Sequence, residues 1–118
     1  MKIRIKGNSI RFRLTRPEVE RLDIGADIQE STEFVNNSLA YRITCTEDQA
    51  IGISFEENRI SLFLPISMLS SWKVTDQVGF RTELDRLVIL VEKDFTCLDN
   101  VEEDQSENYP NPLLNSKK

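Results

Sequence analysis

Residues 1–14, MKIRIKGNSIRFRL, decide the fold. Apolar and charged residues alternate on both sides of Gly7-Asn8. The apolar positions are Ile3, Ile5, Ile10, Phe12 and Leu14. A period of two is typical of a strand with one buried face, and a Gly-Asn pair suits a two-residue turn. The stretch therefore predicts a β-hairpin whose apolar side faces a core.

The residues after this hairpin predict a short helix. Thr15 and Glu18 have the spacing of a capping box, in which the hydroxyl and the carboxylate satisfy opposite backbone donors. Val19 and Leu22 then share one helical face, and Gly25 can adopt the left-handed conformation that ends a helix. Two further strands are expected, from about Ile28 to Val35 and from Leu39 to Cys45, with the turn at Asn36-Asn37.

A shift of fifty residues places this plan on the following part of the chain without a gap. Ile3, Ile5, Asn8, Ile10, Phe12 and Leu14 fall on Ile53, Phe55, Asn58, Ile60, Leu62 and Leu64. Val19 and Leu22 fall on Leu69 and Trp72, and Ile28 falls on Val78. The shared property is the inward apolar position, which predicts two tandem copies, residues 1–50 and 51–98. The alternative is that any two stretches of hairpin, helix and hairpin align in this way.

The predicted fold class is therefore mainly β with two short helices. Duplicated hairpin-helix-hairpin units would form a pseudo-twofold β-barrel, as one domain over residues 1–98. No apolar run reaches the roughly 18 residues that a membrane crossing needs, and the first residues lack the apolar run of a signal peptide. We expect a cytoplasmic protein, either a monomer or a homodimer.

Short motifs in both copies carry a resemblance. The first copy contains Gly7-Asn8-Ser9-Ile10, Arg13-Leu14, a helix ending in Leu22, and Gly25 with Ile28. The second copy contains Leu64-Pro65 before its helix and Asp76-Gln-Val78 after it. These motifs resemble the AbrB and MazE class of bacterial swapped-hairpin domains. The resemblance implies an interleaved β-barrel, here made by two halves of one chain. The whole chain, with EKDFTCL and a later PNP, also resembles an uncharacterised bacterial family of similar length.

Charge is distributed unevenly along the chain. Residues 1–22 hold seven basic and two acidic side chains, although the whole chain has a net charge of -5. Because the apolar residues of the first hairpin point inward, its cations must share the outer face. With Gly7-Asn8 as the turn, Arg4 lies opposite Arg11 and Lys2 opposite Arg13, which is destabilising. The second copy would instead place Glu56 opposite Arg59 and Ser54 opposite Ser61.

This repulsion in one copy predicts an anionic partner. The candidate anion-binding or nucleic-acid-binding residues are Lys2, Arg4, Lys6, Arg11, Arg13 and Arg16. The partner could be another protein, the acidic tail of this chain, or the phosphate backbone of DNA, as in an AbrB-like regulator or an antitoxin-like protein. A solvated charged surface without a partner is the remaining alternative.

An acidic, flexible tail is predicted over residues 99–118. It contains Glu102, Glu103 and Asp104, and Tyr109 beside two prolines. These four residues are candidates for binding a partner, since Tyr109 and nearby leucines would be wasted in a purely solvating segment. The alternative is a terminus that only adds solubility.

The sequence predicts no catalytic, metal or cofactor site. Histidine, the commonest general base, is absent. Cys45 is interpreted as a small buried hydrophobe, and the carboxylates near Cys97 would raise its pKa and make it a poor nucleophile. The tail carboxylates lack the glycine and the spacing of a calcium loop. We therefore expect a protein that is not an enzyme and has no cofactor.

Overall fold

The computed structural model describes residues 1–95, which contain eight β-strands and two α-helices. In chain order the elements are β1 Lys2–Lys6, β2 Ser9–Leu14, α1 Arg16–Asp23, β3 Ile28–Glu33, β4 Ser38–Thr46, β5 Gly52–Glu56, β6 Arg59–Pro65, α2 Ile66–Trp72, β7 Gly79–Leu84 and β8 Leu87–Lys93. A hairpin, a helix and a second hairpin thus follow one another twice. The prediction of a mainly β protein with two short helices is confirmed.

The first hairpin has the predicted turn. Lys6 of β1 lies opposite Ser9 of β2, which leaves Gly7 and Asn8 between the strands. Gly7 has a φ of +54°, a conformation that glycine adopts without steric cost. The buried side chains of β2 are Ile10, Phe12 and Leu14. Ile5 is 60% exposed, so the prediction of an inward position is wrong there, because the edge strand β1 extends past the core near the turn.

Helix α1 begins and ends as the sequence predicts. The backbone N–H of Thr15 donates to Glu18 Oε1 at 2.8 Å, within a capping box. Glu18 is buried at 7% exposure. At the other end, Gly25 has a φ of +88°, and the N–H of Ala26 donates to the carbonyl of Arg21 at 2.9 Å. These bonds satisfy backbone groups that a short helix leaves without partners.

The two helices bury equivalent residues. Val19 and Leu22 of α1 are buried, and so are Leu69 and Trp72 of α2. The indole N–H of Trp72 donates to the carbonyl of Gln77 at 3.0 Å, which satisfies its only polar atom in the core. Neither helix in residues 1–95 is long and apolar enough to cross a membrane.

Each sheet takes one hairpin from each half of the described chain. The first sheet has the strand order β1-β2-β8-β7, and the second has the order β3-β4-β6-β5. Inside each hairpin the strands are antiparallel, but β2 pairs with β8 and β4 pairs with β6 in parallel. The two halves are therefore interleaved, because each one supplies half of both sheets.

The strands of residues 1–95 do not close into the predicted barrel. They form two separate four-stranded sheets, and side chains from both sheets and both helices build one hydrophobic core. Helix α1 leads from the first sheet to the second, and α2 leads back. Barrel closure would need backbone pairing between sheet edges, whereas these sheets are joined by packed side chains and by the two crossing helices.

The equivalent positions of the second hairpins differ from those predicted. Ile28 lies opposite the fully buried Ile43, and Phe80 lies opposite the fully buried Val91. Phe80, and not Val78, is therefore the structural equivalent of Ile28. Val78 precedes β7 and is 54% exposed. The predicted match was two residues off, a distance that keeps the same side-chain face because strands have a period of two.

The parallel pairs show the same two-residue difference. Ser9 pairs with Val88, whereas Arg59, fifty positions after Ser9, pairs with Ala40. The β3–β4 hairpin consequently extends two residues farther past its neighbour.

The tip of the β3–β4 hairpin also differs from the predicted Asn36-Asn37 turn. The N–H of Phe34 donates to the carbonyl of Asn37 at 2.6 Å, so residues 35 and 36 form the turn.

A close approach of two strands at Gly79 gives a test of this packing. A Cβ atom on Gly79 would lie 2.1 Å from the carbonyl oxygen of Val91 and 2.8 Å from the Cα of Glu92. We expect Gly79→Ala to lower the free energy of unfolding by about 3 kcal/mol or more, because β7 must move away from β8. Gly52→Ala is the matched control, since its nearest neighbour is Phe63 at 3.7 Å. Urea unfolding of both variants measures the difference, and equal losses would contradict the register of β7.

The buried carboxylate of Glu18 predicts a pH dependence of stability. Burial raises its pKa, but hydrogen bonds from the Met1 amino group and from Thr15 outweigh burial and lower the pKa overall. A carboxyl whose pKa is lower in the folded state stabilises the fold above its unfolded pKa, and this contribution is lost as the pH falls through the folded pKa. We expect the free energy of unfolding to fall between about pH 5 and pH 3, and less steeply in Glu18→Gln. The control is Glu20→Gln, an exposed position on the same helix, and a slope unchanged in Glu18→Gln would refute the assignment.

Candidate functional site

Five of the predicted basic residues share the outer face of the first sheet. Lys2 lies opposite Arg13 and Arg4 lies opposite Arg11, as predicted, and Lys6 lies next to the turn. The three residues of β1 are exposed, and the two of β2 are half-buried. The hairpin therefore holds five cations on one surface of the first sheet, and we call this surface the basic face.

The neighbouring hairpin adds residues that the sequence analysis missed. Leu90 of β8 lies opposite Arg11, and Arg81 of β7 lies opposite Leu90. A row across all four strands thus runs from Arg4 through Arg11 and Leu90 to Arg81. Arg81 lies 70 positions after Arg11 in the chain, and only the parallel pairing of β2 with β8 brings the two residues together.

Glu92 also joins the basic face from β8. Its Oε1 atom lies 3.5 Å from the Nε of Arg11 and 3.6 Å from the Nε of Arg13. At the same end, the ammonium group of Lys2 lies 3.1 Å from Asp94. The repulsion predicted for this hairpin is therefore relieved in part within the chain. The parallel neighbour supplies a carboxylate that no pattern within the hairpin could reveal.

The basic face nevertheless keeps an excess of positive charge. Its charged members are Lys2, Arg4, Lys6, Arg11, Arg13, Arg81, Glu83 and Glu92. Six cations of the strands thus share the surface with two carboxylates of the strands, and Asp94, just after β8, adds a third carboxylate beside Lys2. Residues 1–95 as a whole contain 13 basic and 15 acidic residues. The excess is consequently local, and the rest of the described surface is acidic.

The second sheet presents a balanced outer face on the same architecture. Glu56 lies opposite Arg59, and Ser54 lies opposite Ser61, as predicted. The charged residues of that face are Glu33, Arg42, Glu56 and Arg59, two of each sign. A hairpin of this kind therefore forms without a concentration of cations.

Arg16 does not belong to the basic face. It is the first residue of α1, is exposed, and lines a cavity of about 990 Å³ at the end of the molecule where the helices lie. We call this the helix-end cavity, and its lining residues are Leu14, Arg16, Val19, Glu20, Lys73, Val74, Thr75, Lys93, Asp94 and Phe95. The structure thus separates Arg16 from the other five predicted cations.

The predicted tail residues Glu102, Glu103, Asp104 and Tyr109 lie outside the described residues, as does Cys97. Cys45 is half-buried, and its thiol donates to the carbonyl of Leu22 at 3.0 Å. Burial, with smaller contributions from Asp27 and Asp23, raises the pKa of this thiol. Cys45 therefore remains protonated near neutral pH and is a poor nucleophile. Within residues 1–95, no group of three or more acidic or cysteine side chains is arranged to hold a metal ion.

Comparison with known proteins identifies a family. The model of a family of unknown function (DUF7009) matches residues 1–113, so the chain belongs to this family. No curated protein and no solved structure matches the chain. The matched range includes both sheets, both helices and most of the acidic tail.

Glu92 gives a test of the electrostatics of the basic face. We expect Glu92→Gln to lower the free energy of unfolding by about 1 kcal/mol, because Arg11 and Arg13 lose the carboxylate between them. The Nε atom of Arg11 is buried without a hydrogen bond, which leaves it dependent on this nearby charge. The control is Glu83→Gln on the same face, where the nearest cation is Arg81 at 4.0 Å and the expected change is below about 0.5 kcal/mol. Urea unfolding at low salt gives both values, and equal changes in the two variants would contradict the stabilising role of Glu92 between Arg11 and Arg13.

Proposed function

We propose that this member of the DUF7009 family is a non-catalytic binding protein that holds an acidic segment of another protein on the basic face. The observation that carries the proposal is the excess of cations on one sheet, whose strands hold six cations against two carboxylates with Asp94 as a third beside Lys2, next to a balanced sheet of the same architecture. Such a local field attracts an anionic partner although the whole chain is acidic.

The row from Arg4 to Arg81 is the expected centre of the contact. Arg4 and Arg11 lie directly opposite one another, and the carboxylate of Glu92 is placed toward Arg11 and Arg13 in the next row. Guanidinium groups bind carboxylates through paired, charge-assisted hydrogen bonds. Carboxylates of an acidic segment that crosses this row would therefore gain directional bonds from its guanidinium groups.

An acidic protein is favoured over DNA by the charge of the chain. A net charge of -5 repels a long polyanion from most of the surface, whereas a short acidic segment needs only the basic face. The acidic tail of this chain is one possible source of such a segment and would then compete with a partner. DNA binding is the second candidate function. The interleaved hairpins favour it, because the resemblance to AbrB and MazE domains implies that arrangement.

A non-catalytic role agrees with the chemistry that the residues offer. The sequence contains no histidine, and the thiol of Cys45 has a raised pKa. The basic face holds neither a nucleophile nor a pair of carboxylates poised for acid-base exchange. Its arginines are suited to holding charge, which is a binding task.

Binding of a fluorescent acidic peptide tests the proposal. The probe is a labelled peptide with the sequence of residues 99–107, DNVEEDQSE, measured by fluorescence anisotropy against the full-length chain. In the protein used for this assay, the acidic residues of the tail are replaced by their amides, so that the tail does not compete with the peptide. We expect Arg4→Gln with Arg81→Gln to weaken binding about five- to tenfold at ~50 mM salt, because two exposed charge contacts are lost. Binding should also weaken as salt rises.

The matched control removes the same charge elsewhere. Arg21→Gln with Arg59→Gln changes the net charge equally but alters α1 and the second sheet. This control should change the affinity less than twofold. Equal weakening by the two double variants, or no binding of the peptide at all, would refute the proposed function. Tighter binding of a 20-base-pair DNA duplex than of the peptide, lost in Arg4→Gln with Arg81→Gln, would favour the second candidate.

A further inference from the structure

The helix-end cavity lies where the described chain ends. Its walls include the exposed apolar side chains of Val74 and Phe95, 74% and 58% exposed, next to the buried Leu14 and Val19. Two large apolar groups at the rim of a cavity of about 990 Å³ are costly to leave in water. The cavity is therefore a surface that an apolar segment would cover with a gain in free energy.

The backbone directs the chain toward this cavity. The N–H of Asp94 donates to the carbonyl of Leu14 at 2.8 Å, so the chain still follows β2 after β8 has ended. Phe95, the next residue, itself lines the cavity beside Arg16. From there to Tyr109 the chain has 14 residues, which can span up to ~45 Å and so can easily turn back. The segment after Phe95 is therefore long enough for the residues around Tyr109 to enter the cavity.

The chemistry of the tail matches the cavity. Residues 107–114 read ENYPNPLL, in which one carboxylate precedes an aromatic residue, two prolines and two leucines. The cavity offers four apolar residues among six polar ones, and one of the six is the exposed Arg16, whose guanidinium forms no ion pair with any of residues 1–95. Tyrosine, leucine and proline cost little conformational entropy when they are ordered, relative to the apolar area they bury.

We propose that residues 109–114 of this chain occupy the helix-end cavity, with Glu107 beside Arg16. The family match supports this occupant, because it extends across the tail to residue 113, one residue short of the second leucine. A segment that served only for solubility would have little sequence to match. The proposal does not depend on the proposed function.

Hydrogen exchange of the full-length chain, followed by mass spectrometry, tests the contact from the tail side. The variant is Tyr109→Ser with Leu113→Ser and Leu114→Ser, and the matched control is Asn108→Ser with Asn111→Ser and Asn115→Ser. In the first variant, exchange of peptides that cover residues 72–75 should rise about threefold or more, because Val74 and Thr75 lose their cover. The melting temperature should fall by about 5 °C. The control should change neither value.

A second variant tests the contact from the cavity side and does not touch the tail. Val74→Asp should raise the exchange of a peptide covering residues 105–115, because a carboxylate on the wall repels Glu107 and would lose its hydration if apolar residues covered it. The control is Val35→Asp at the tip of the β3–β4 hairpin, where the side chain is fully exposed. Unchanged exchange of peptides from β5 and β6 shows that each variant remains folded.

Three results would overturn the proposal. The tail of the unmodified chain could exchange as fast as an unfolded peptide, or the serine variant could match its control in both exchange and melting temperature. Protection of residues 105–115 could also rise with protein concentration between about 1 and 100 µM. That last result would show that the tail of a second copy, and not of the same chain, enters the cavity.

Discussion

The parallel pairing of β2 with β8, and of β4 with β6, is the constraint on which the rest of the structure depends. Hairpins are local and could form within each half, but a single hairpin is marginally stable in water. Joining hairpins from different halves produces two four-stranded sheets, and only then do both inner faces and both helices enclose one core. The same pairing places Arg81 and Glu92 beside the arginines of the first hairpin. Both the fold and the basic face thus depend on parallel pairing between strands that are far apart in the chain.

The local parts of this fold could be predicted from the sequence because they depend on residues a few positions apart. The Gly7-Asn8 turn, the register of Arg4 with Arg11 and the capping box of α1 belong to this class. The positions of Phe80 and Val78 could not be predicted in the same way. A shift of fifty residues matches apolar positions, but it contains no information on the length of each hairpin. The β7–β8 hairpin is shorter than the β3–β4 hairpin by two residues on each strand, and a difference of two preserves every face.

The candidate site also contains residues placed by local pattern, which could be predicted, and residues placed by long-range pairing, which could not. Five of its six cations could be predicted because alternation assigns them to one face of a hairpin. Glu92 could not, since it lies far along the chain and reaches Arg11 and Arg13 only through the parallel ladder. Arg16 was grouped with the cations by its place in the sequence, but the helix that begins there turns it toward the helix-end cavity. Closeness in the sequence predicts which side chains share a face within one strand. It does not do so where a strand is followed by a helix.

The two sheets together constitute an internal comparison. They share strand order, pairing and connections, yet one outer face is balanced and the other carries six cations against three carboxylates, Asp94 included. The balanced sheet shows that this architecture does not require the cations. Like charges placed opposite one another cost stability, and ion pairs with Glu83, Glu92 and Asp94 offset that cost. A concentration of cations that the fold does not need is the reason to propose that this face binds an anion.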